Sequence, residues 1–210
     1  MDDRALALAL TPVSRETLGR LDKLAALVLE WQKTTNLIAP STVTQLWTRH
    51  IADSLQLLDL SEGRRWIDLC SGAGFPGLVL ACALVERDGH VHLVESNAKK
   101  AAFLREAKRV TGAPATIHAE RIEHFVARFG DPTDVVTARA LAPLGQLLSY
   151  VQPFMARGAQ AILPKGQDVE AELTEASKCW RIEADLQPSR TSPDSRIVVI
   201  HRLERRPKSL

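Results

Sequence analysis

Two stretches near the N-terminus carry apolar residues three or four positions apart, which is the spacing of a helix with one buried face. The first covers residues 17–31, and Ser14 precedes it as a candidate N-cap. The second runs from about Ser41 or Thr44 to Leu58. We therefore predict two helices in this part of the chain.

From residue 65 onward, short apolar runs alternate with segments of helical spacing. The predicted strands are Trp66–Leu69, His90–Glu95, Ala115–His118, Asp134–Ala138, Gln160–Leu163 and Ile197–His201. The predicted helices are Pro76–Glu86, Ala98–Val110, Glu120–Phe129, Leu144–Met155 and Val169–Lys178. Such alternation is typical of an α/β protein in which helices cover both faces of a mainly parallel sheet. Because these sheets bind ligands beyond the C-terminal ends of their strands, we expect the functional site in the loops that follow the strands.

The change of period near residue 60 predicts two regions, an N-terminal helical extension (residues 1–60) and a Rossmann-like domain (residues 61–210). The chain is 45% hydrophobic and 25% charged, which is ordinary for a globular protein and argues against disorder. The longest apolar run, Leu78–Val85, is far shorter than a membrane span. Together with the absence of a signal-peptide pattern, this predicts a cytoplasmic protein that does not enter the membrane.

The net charge and the cysteines say little about which function the protein has. The net charge is only +2, which neither requires nor excludes a nucleic-acid partner. Cys70, Cys82 and Cys179 form no CxxC pair, so we expect reduced thiols and no metal site. Residues 201–208 are predicted to form a basic tail.

The segment from Asp68 to Gly77 links the first predicted strand of the sheet to the next helix. Gly72 and Gly74 are expected to leave room for a ligand beside the backbone, and Gly77 to allow close packing. The three glycines match the dinucleotide fingerprint G-x-G-x-x-G. However, Asp68 makes the pattern D-x-x-x-G-x-G, which resembles motif I of class I S-adenosylmethionine methyltransferases. A carboxylate attracts the ammonium and sulfonium of that cofactor and repels a pyrophosphate, so we favour the methyltransferase.

Three further candidates follow later predicted strands. Glu95 is placed to accept hydrogen bonds from ribose hydroxyls, or alternatively to cap the next helix. Ile122 lies where the backbone would pass the adenine ring. Arg139 is placed to hold a cofactor carboxylate or a substrate phosphate, or is simply exposed.

A set of short motifs, in this order along the chain, resembles the RsmG family, also called GidB. The motifs are Asn36-Leu37, Arg49-His50-Ile51-Ala52-Asp53-Ser54, Asp68–Gly77, Glu95-Ser96 with Lys99-Lys100 and Phe103-Leu104, Arg121-Ile122-Glu123, Arg139-Ala140 and Pro164-Lys165-Gly166. The chain departs from the family at two positions. Cys70 stands where the family usually has glycine, and Ile38 stands where the family usually has threonine.

The resemblance implies a bacterial enzyme that transfers a methyl group from S-adenosylmethionine to N7 of a guanosine in 16S ribosomal RNA. Combining motif and resemblance, we expect the cofactor at Asp68, Cys70, Gly72, Gly74, Phe75, Glu95, Ile122, Glu123 and Arg139. The RNA is expected at Asn36, Arg49, His50 and Lys165. We expect the substrate to be 16S rRNA or the 30S particle, and the enzyme to be a monomer without a metal.

Guanine N7 is already a lone-pair acceptor, so no general base is predicted. For two of the expected substrate residues, Arg49 and Lys165, an ordinary surface role remains an alternative. Arg49 and Asp53 are four positions apart and could form only a surface ion pair, while Lys165 could be a solvated lysine.

Three alternatives for the function also remain. They are a methyltransferase acting on another RNA or a small molecule, an NAD-dependent oxidoreductase that uses the literal G-x-G-x-x-G, and a non-catalytic RNA-binding or assembly factor on a methyltransferase scaffold.

Overall fold

The computed structural model describes residues 2–139 and 142–207. Seven strands form one sheet: β1 (Arg65–Leu69), β2 (His90–Val94), β3 (Ala115–His118), β4 (Val135–Ala138), β5 (Gln160–Lys165), β6 (Trp180–Pro188) and β7 (Arg196–Arg205). Their order across the sheet is β3-β2-β1-β4-β5-β7-β6. The first five strands are parallel, whereas β7 runs antiparallel between β5 and β6.

Eight α-helices accompany the sheet in the described part of the chain. They are α1 (Asp3–Leu10), α2 (Arg15–Trp31), α3 (Asp53–Leu55), α4 (Gly77–Leu84), α5 (Ala98–Thr111), α6 (Ile122–Arg128), α7 (Leu144–Met155) and α8 (Val169–Ala176). Short 3₁₀ segments cover Pro40–Gln45, Gln56–Leu60 and Val85–Arg87, and one π-helical segment covers Trp47–Ala52.

Each face of the sheet has its own hydrophobic core, because alternate residues of each strand point to opposite faces. On one face, Trp66 and Val91 pack with Phe103 of α5 and with the N-terminal helices. On the other, Ile67 packs with Phe154 of α7 and its neighbours in α6 and α8. This arrangement confirms the predicted α/β fold, with a mainly parallel sheet, helices on both faces and helices preceding the first strand.

The helix boundaries follow from local capping. The Ser14 side chain accepts a hydrogen bond from the Thr17 N–H at 3.0 Å, which confirms the predicted N-cap of α2. Asn97 caps α5 in the same way, and α5 ends at Gly112, whose φ of +67° suits glycine.

The secondary structure differs from the sequence prediction in four places. The α1 helix was not predicted, and residues 40–60 form 3₁₀, π and short α segments instead of one helix. The predicted basic tail belongs to β7 as far as Arg205, while Lys208 lies outside the described residues, as does Ala140. The β6 strand was not predicted, although Trp180, Ile182, Ala184 and Leu186 alternate with polar residues in the pattern of a strand; most of its side chains are exposed.

The N-terminal helices share a core with the sheet. Leu21 and Leu24 of α2 and Ile51 of the π segment are buried in the same cluster as Trp66 of β1. The division of the chain near residue 60 stays a prediction. Within the described residues, no helix is long and apolar enough to cross a membrane.

Candidate functional site

The loop between β1 and α4, residues 70–76, is called the glycine loop below. Its backbone enters the left-handed region at Cys70 (φ +64°), Gly72 (φ +56°) and Gly74 (φ +84°). Glycine adopts this region without the steric penalty that a Cβ atom brings. Gly72 and Gly74 are therefore needed for the curvature of the loop itself, whatever ligand it binds. Cys70 adopts the same left-handed region with a Cβ atom, so it carries backbone strain that a glycine would avoid.

The glycines of the loop differ in what surrounds them. A Cβ atom on Gly72 would meet only the Cys70 carbonyl oxygen, at 3.9 Å, so Gly72 borders open space. A Cβ atom on Gly74 would lie 2.8 Å from the Leu78 Cβ and 3.3 Å from Leu104, inside the core. The expectation that Gly74 leaves room for a ligand is wrong, because that room is filled by core side chains. Whether Gly74 supports the cofactor stays a prediction.

Asp68 lies beneath the glycine loop and is fully buried. Its Oδ2 accepts a hydrogen bond from the Gly77 N–H at 2.9 Å, which ties the start of α4 to β1. A Cβ atom on Gly77 would meet that same Oδ2 at 2.5 Å, so the predicted close packing at Gly77 is confirmed. Asp68 Oδ1 has no hydrogen-bond partner among the described residues. Burial, with a small contribution from the nearby Glu95, raises the pKa of Asp68 to about 7, although hydrogen bonds from Gly77 and Ser71 and the charge of Arg139 oppose the rise.

The raised pKa of Asp68 gives a pH test. The folded protein holds this proton more tightly than the unfolded chain, so Asp68 contributes stability at low pH that is lost as pH rises toward 7. Asp68→Asn keeps an acceptor for the Gly77 N–H and removes the titration. Between pH 5 and pH 8, the free energy of unfolding of Asp68→Asn should gain about 2–3 kcal/mol relative to the unsubstituted protein. Urea denaturation at both pH values measures this difference, and an unchanged difference would contradict the buried, titrating carboxyl.

Glu95 follows β2 and is only 4% exposed. Its Oε2 accepts from the Gly72 N–H at 2.9 Å, and its Oε1 accepts from the Asn97 N–H at 2.7 Å. The side chain that caps α5 is that of Asn97, so the capping alternative for Glu95 is wrong. Glu95 instead lies against the glycine loop beside the open space at Gly72.

These groups fit a cationic nucleoside cofactor. The carboxylates of Asp68 and Glu95 border a backbone curve that is open at Gly72, and one buried Asp68 oxygen has no hydrogen-bond partner in the part of the chain that the structure describes. Carboxylates favour a nearby ammonium or sulfonium and accept hydrogen bonds from ribose hydroxyls. The donor set is therefore suited to S-adenosylmethionine.

Cys70 is the first residue of the glycine loop. Burial raises the pKa of its thiol to about 11, so the thiol stays protonated. Cys70→Gly should retain methyl-transfer activity and change the free energy of unfolding by less than about 1 kcal/mol, because relief of left-handed strain opposes the entropy cost of glycine. Cys70→Ala is the matched control, since it removes the thiol and keeps the strained Cβ. If both variants fold and bind cofactor but lose turnover, the thiol has a chemical role.

Ile122 and Glu123 form the first turn of α6, which follows β3. Ile122 is half-buried against the core of the α7 face, and the exposed Glu123 accepts a hydrogen bond from the Tyr150 hydroxyl at 2.8 Å. Since β3 and β1 are parallel to β2, this turn lies at the same edge of the sheet as the glycine loop. In the described residues, no hydrogen bond joins it to that loop. Contact of Ile122 and Glu123 with a cofactor stays a prediction.

Arg139 follows β4 and connects the glycine loop to the N-terminal region. Its guanidinium lies over the ring of Phe75, 5.6 Å from the ring centroid. Its Nη2 donates to His50 Nδ1 at 2.9 Å, and its Nη1 donates to the Arg49 carbonyl oxygen at 3.1 Å and approaches Asp53 Oδ2 at 3.4 Å. The side chain is only 20% exposed. The interpretation of Arg139 as an exposed arginine is therefore wrong.

His50 is buried between these groups and is neutral. Burial, with smaller contributions from Arg139 and Arg49, lowers the pKa of His50 to about 3. Because Nδ1 accepts from Arg139, Nε2 carries the proton and donates to Thr42 Oγ1 at 2.8 Å. Thr42 in turn donates to the Ala39 carbonyl oxygen at 2.8 Å. His50 is therefore an acceptor for Arg139 and not a base.

A cleft of about 290 Å³ opens beside Arg139, at the ends of β4 and β5, and is called the polar cleft. Its ionisable and histidine lining residues are Arg49, His50, Asp53, Arg139, Lys165, Glu172 and Arg196. Lys165 Nζ lies 2.6 Å from Glu172 Oε2, and the lysine side chain is only 11% exposed. The interpretation of Lys165 as a solvated lysine is wrong.

Arg49 is exposed, and no carboxylate of the described residues lies within ion-pair distance of it. Asp53 instead pairs with Arg139 and accepts from the Thr191 hydroxyl at 2.7 Å. The alternative of an Arg49–Asp53 surface pair is therefore wrong.

Asn36 stands apart from the other candidates. It is exposed, is not among the residues that line the polar cleft, and has only a long contact of 3.5 Å with the Gln32 side chain. Gln32 holds this turn, since its Oε1 accepts from the N–H groups of Leu37 and Ile38 at 2.9 and 3.0 Å. Binding of RNA by Asn36 stays a prediction.

Sequence reasoning did not single out Glu172 or Arg196 as site residues, and it did not pair Asp53 with Arg139. Asp53 reaches the site through Arg139, which is 86 positions away in the sequence. Arg196 reaches it through the antiparallel pairing of β7 with β5. Neither contact has a local sequence signal.

The chain is similar to known proteins in both sequence and fold. Residues 17–194 match the family GidB, described as rRNA small subunit methyltransferase G. A protein of Bradyrhizobium sp. (strain BTAi1) named ribosomal RNA small subunit methyltransferase G is 62% identical over 97% of this chain and 92% of its own length. A protein of the same name from Rhodopseudomonas palustris (strain BisB5) is 58% identical over 97% of this chain and 88% of its own length.

The crystal structure of the O-methyltransferase TomG from Streptomyces achromogenes in complex with SAM aligns with a TM-score of 0.58 and 14% identity. The alignment covers 86% of this chain and 88% of that one. This likeness concerns the fold alone, and it confirms the predicted methyltransferase architecture.

Proposed function

The chain belongs to the GidB family of rRNA small subunit methyltransferases, and from this premise we propose that it transfers a methyl group from S-adenosylmethionine to N7 of a guanosine in 16S ribosomal RNA. Family membership decides against the NAD-dependent oxidoreductase. The target atom, N7 of guanine, is taken from the resemblance to this family, and the chemistry of the site is consistent with it.

The cofactor is assigned to the glycine loop. When bound, S-adenosylmethionine supplies a methyl group carried on a sulfonium. Glu95 is suited to the ribose hydroxyls, and Asp68 provides negative charge beneath the loop toward the cationic end of the cofactor. The open space at Gly72 supports this assignment, since only there does a missing side chain leave the loop accessible.

The observation that carries the proposal is the position of Arg139 between the two halves of the site. Its guanidinium covers Phe75 of the glycine loop on one side and contacts Arg49 and His50 of the polar cleft on the other. A cofactor at the loop and a substrate base in the cleft would therefore meet at Arg139. Alignment of N7 with the methyl carbon is the main contribution expected of the protein, and positioning of this kind can supply about 7–11 kcal/mol.

His50 and Asp53, the described titratable side chains that contact Arg139, are not free to act as bases, which is consistent with N7 as the acceptor atom. N7 carries a free lone pair, so no side chain has to remove a proton. His50, the imidazole nearest to Arg139, accepts a hydrogen bond and has a pKa lowered to about 3. Asp53 is occupied by Arg139 and Thr191.

The substrate side is assigned to the polar cleft. Four cationic side chains line it against two carboxylates, which favours a polyanion. In an RNA duplex the N7 edge lies in a deep, narrow groove, so the target guanine must be unpaired or splayed out.

Transfer of labelled methyl groups from S-adenosylmethionine to 16S rRNA, free and in 30S particles, tests the proposal. We expect label in the RNA and none in a tRNA control. Tight RNA binding without transfer would instead indicate a non-catalytic assembly factor, and transfer to tRNA alone would indicate a different substrate.

A further inference from the structure

Two cations face each other across the β5–β7 pair. Lys165 and Arg196 are directly opposite in the antiparallel register. Opposed residues in such a pair have Cβ atoms about 4.5–5.5 Å apart, and like charges on directly opposed residues are destabilising. Both residues line the polar cleft.

Only one of the two charges is compensated within the described residues. Lys165 pairs with Glu172, whose Oε2 also accepts from the Leu144 N–H at 2.6 Å. Arg196 has no carboxylate within ion-pair distance in the described ranges. Its Nη1 donates to the carbonyl oxygens of Pro193 and Ser195 at 2.7 and 2.9 Å, which leaves its positive charge unbalanced.

The loop that precedes Arg196, residues 189–195, is fixed to the N-terminal region. Thr191 donates to Asp53 at 2.7 Å, and the Arg190 N–H donates to Gln56 Oε1 at 2.9 Å. The Arg190 side chain also pairs with Asp59 at 2.6 Å. These contacts hold residues 189–195 in place as one wall of the polar cleft, and Arg49 lines the same cleft from the π-helical segment.

We propose that Arg196 and Arg49 together bind a backbone phosphate of the RNA in the polar cleft. Guanidinium groups match phosphate oxygens in geometry and charge, and phosphate contacts set the register of a nucleic acid on a protein. A phosphate would also balance the Arg196 charge, which no carboxylate of the described residues pairs with. The inference deepens the proposed function and rests on it, since it takes the ligand to be the RNA substrate.

Binding of 16S rRNA and 30S particles by Arg196→Gln tests this site at several salt concentrations. We expect affinity to fall about tenfold, as for the loss of one charged hydrogen-bonded contact. The slope of log affinity against log salt should become shallower by about 0.7–0.9, the contribution of one phosphate. Affinity for S-adenosylmethionine should not change. Arg196→Lys keeps the charge and should keep the salt slope.

Arg202→Gln is the matched control. Arg202 lies on the same strand, is exposed, and pairs with Glu204 outside the cleft. It should bind RNA with unchanged affinity and slope. An unchanged slope in Arg196→Gln overturns the phosphate site. Equal losses in Arg196→Gln and Arg196→Lys with the original slope also overturn it, because Arg196 would then only hold its loop. Because binding is measured and not turnover, a failure of methyl transfer in the unsubstituted enzyme is a separate result that bears on the proposed function.

Discussion

Gly74→Val is expected to destabilise the folded protein by about 3 kcal/mol or more, before any effect on the cofactor is considered. The left-handed backbone at Gly74, with φ of +84°, costs an L-residue about 1–2 kcal/mol, and a β-branched side chain suffers most. The added Cβ would lie 2.8 Å from the Leu78 Cβ, which adds the cost of overpacking, about 1–3 kcal/mol. Because domains are stable by about 5–15 kcal/mol, this is a large share. Urea denaturation followed by circular dichroism measures it.

Gly72→Asn is the control for this prediction. Asparagine tolerates the left-handed region better than other residues with a side chain, and the Cβ at position 72 meets no atom closer than 3.9 Å. This variant should stay folded and lose affinity for S-adenosylmethionine, because the side chain enters the open space of the loop. A Gly74→Val protein as stable as the original, with loss of cofactor binding alone, would show that Gly74 and not Gly72 borders the cofactor.

Arg139→Ala should lower the rate of methyl transfer at least about 100-fold and also weaken cofactor binding. The change removes the guanidinium over Phe75 and deprives His50 Nδ1 and Asp53 of their shared donor. Loss of a hydrogen bond to a charged group costs about 1.5–3 kcal/mol, so a drop in stability is expected as well. Isothermal titration with the cofactor, single-turnover methylation and denaturation separate the three effects.

Arg49→Ala should behave differently. The Arg49 side chain lines the polar cleft and is exposed, whereas the contact with Arg139 uses the Arg49 main-chain carbonyl, which the substitution keeps. Cofactor affinity and stability should persist while methyl transfer to RNA falls about tenfold. If Arg139→Ala binds cofactor normally, its role lies with the RNA. If Arg49→Ala is fully active, the Arg49 side chain takes no part in the reaction.

The elements with strong periodicity could be predicted from the sequence. Apolar runs such as Trp66–Leu69 are buried on both faces of the sheet, so their composition reveals them. The capping residues Ser14 and Asn97 fix helix starts by local hydrogen bonds. The β6 strand was predictable as well, since Trp180, Ile182, Ala184 and Leu186 alternate with polar residues, although most of its side chains are exposed.

The site residues could be predicted only where they belong to a short sequence motif. The glycine loop and Glu95 follow from short motifs, and the structure joins them through one hydrogen bond. Local reasoning paired Asp53 with Arg49 at helical spacing, but the segment is π-helical and Arg139 offers Asp53 a partner from another part of the chain. Gly74 was misjudged because a sequence cannot tell whether a glycine avoids a ligand or its own core.

The proposed reaction is tested most directly by identifying the methylated nucleoside. After single-turnover transfer of labelled methyl to 30S particles, the 16S rRNA is digested to nucleosides and separated. The resemblance to the family, together with a neutral His50 that accepts a hydrogen bond from Arg139, predicts label in 7-methylguanosine alone. Label in a nucleoside whose acceptor atom must first lose a proton would contradict it.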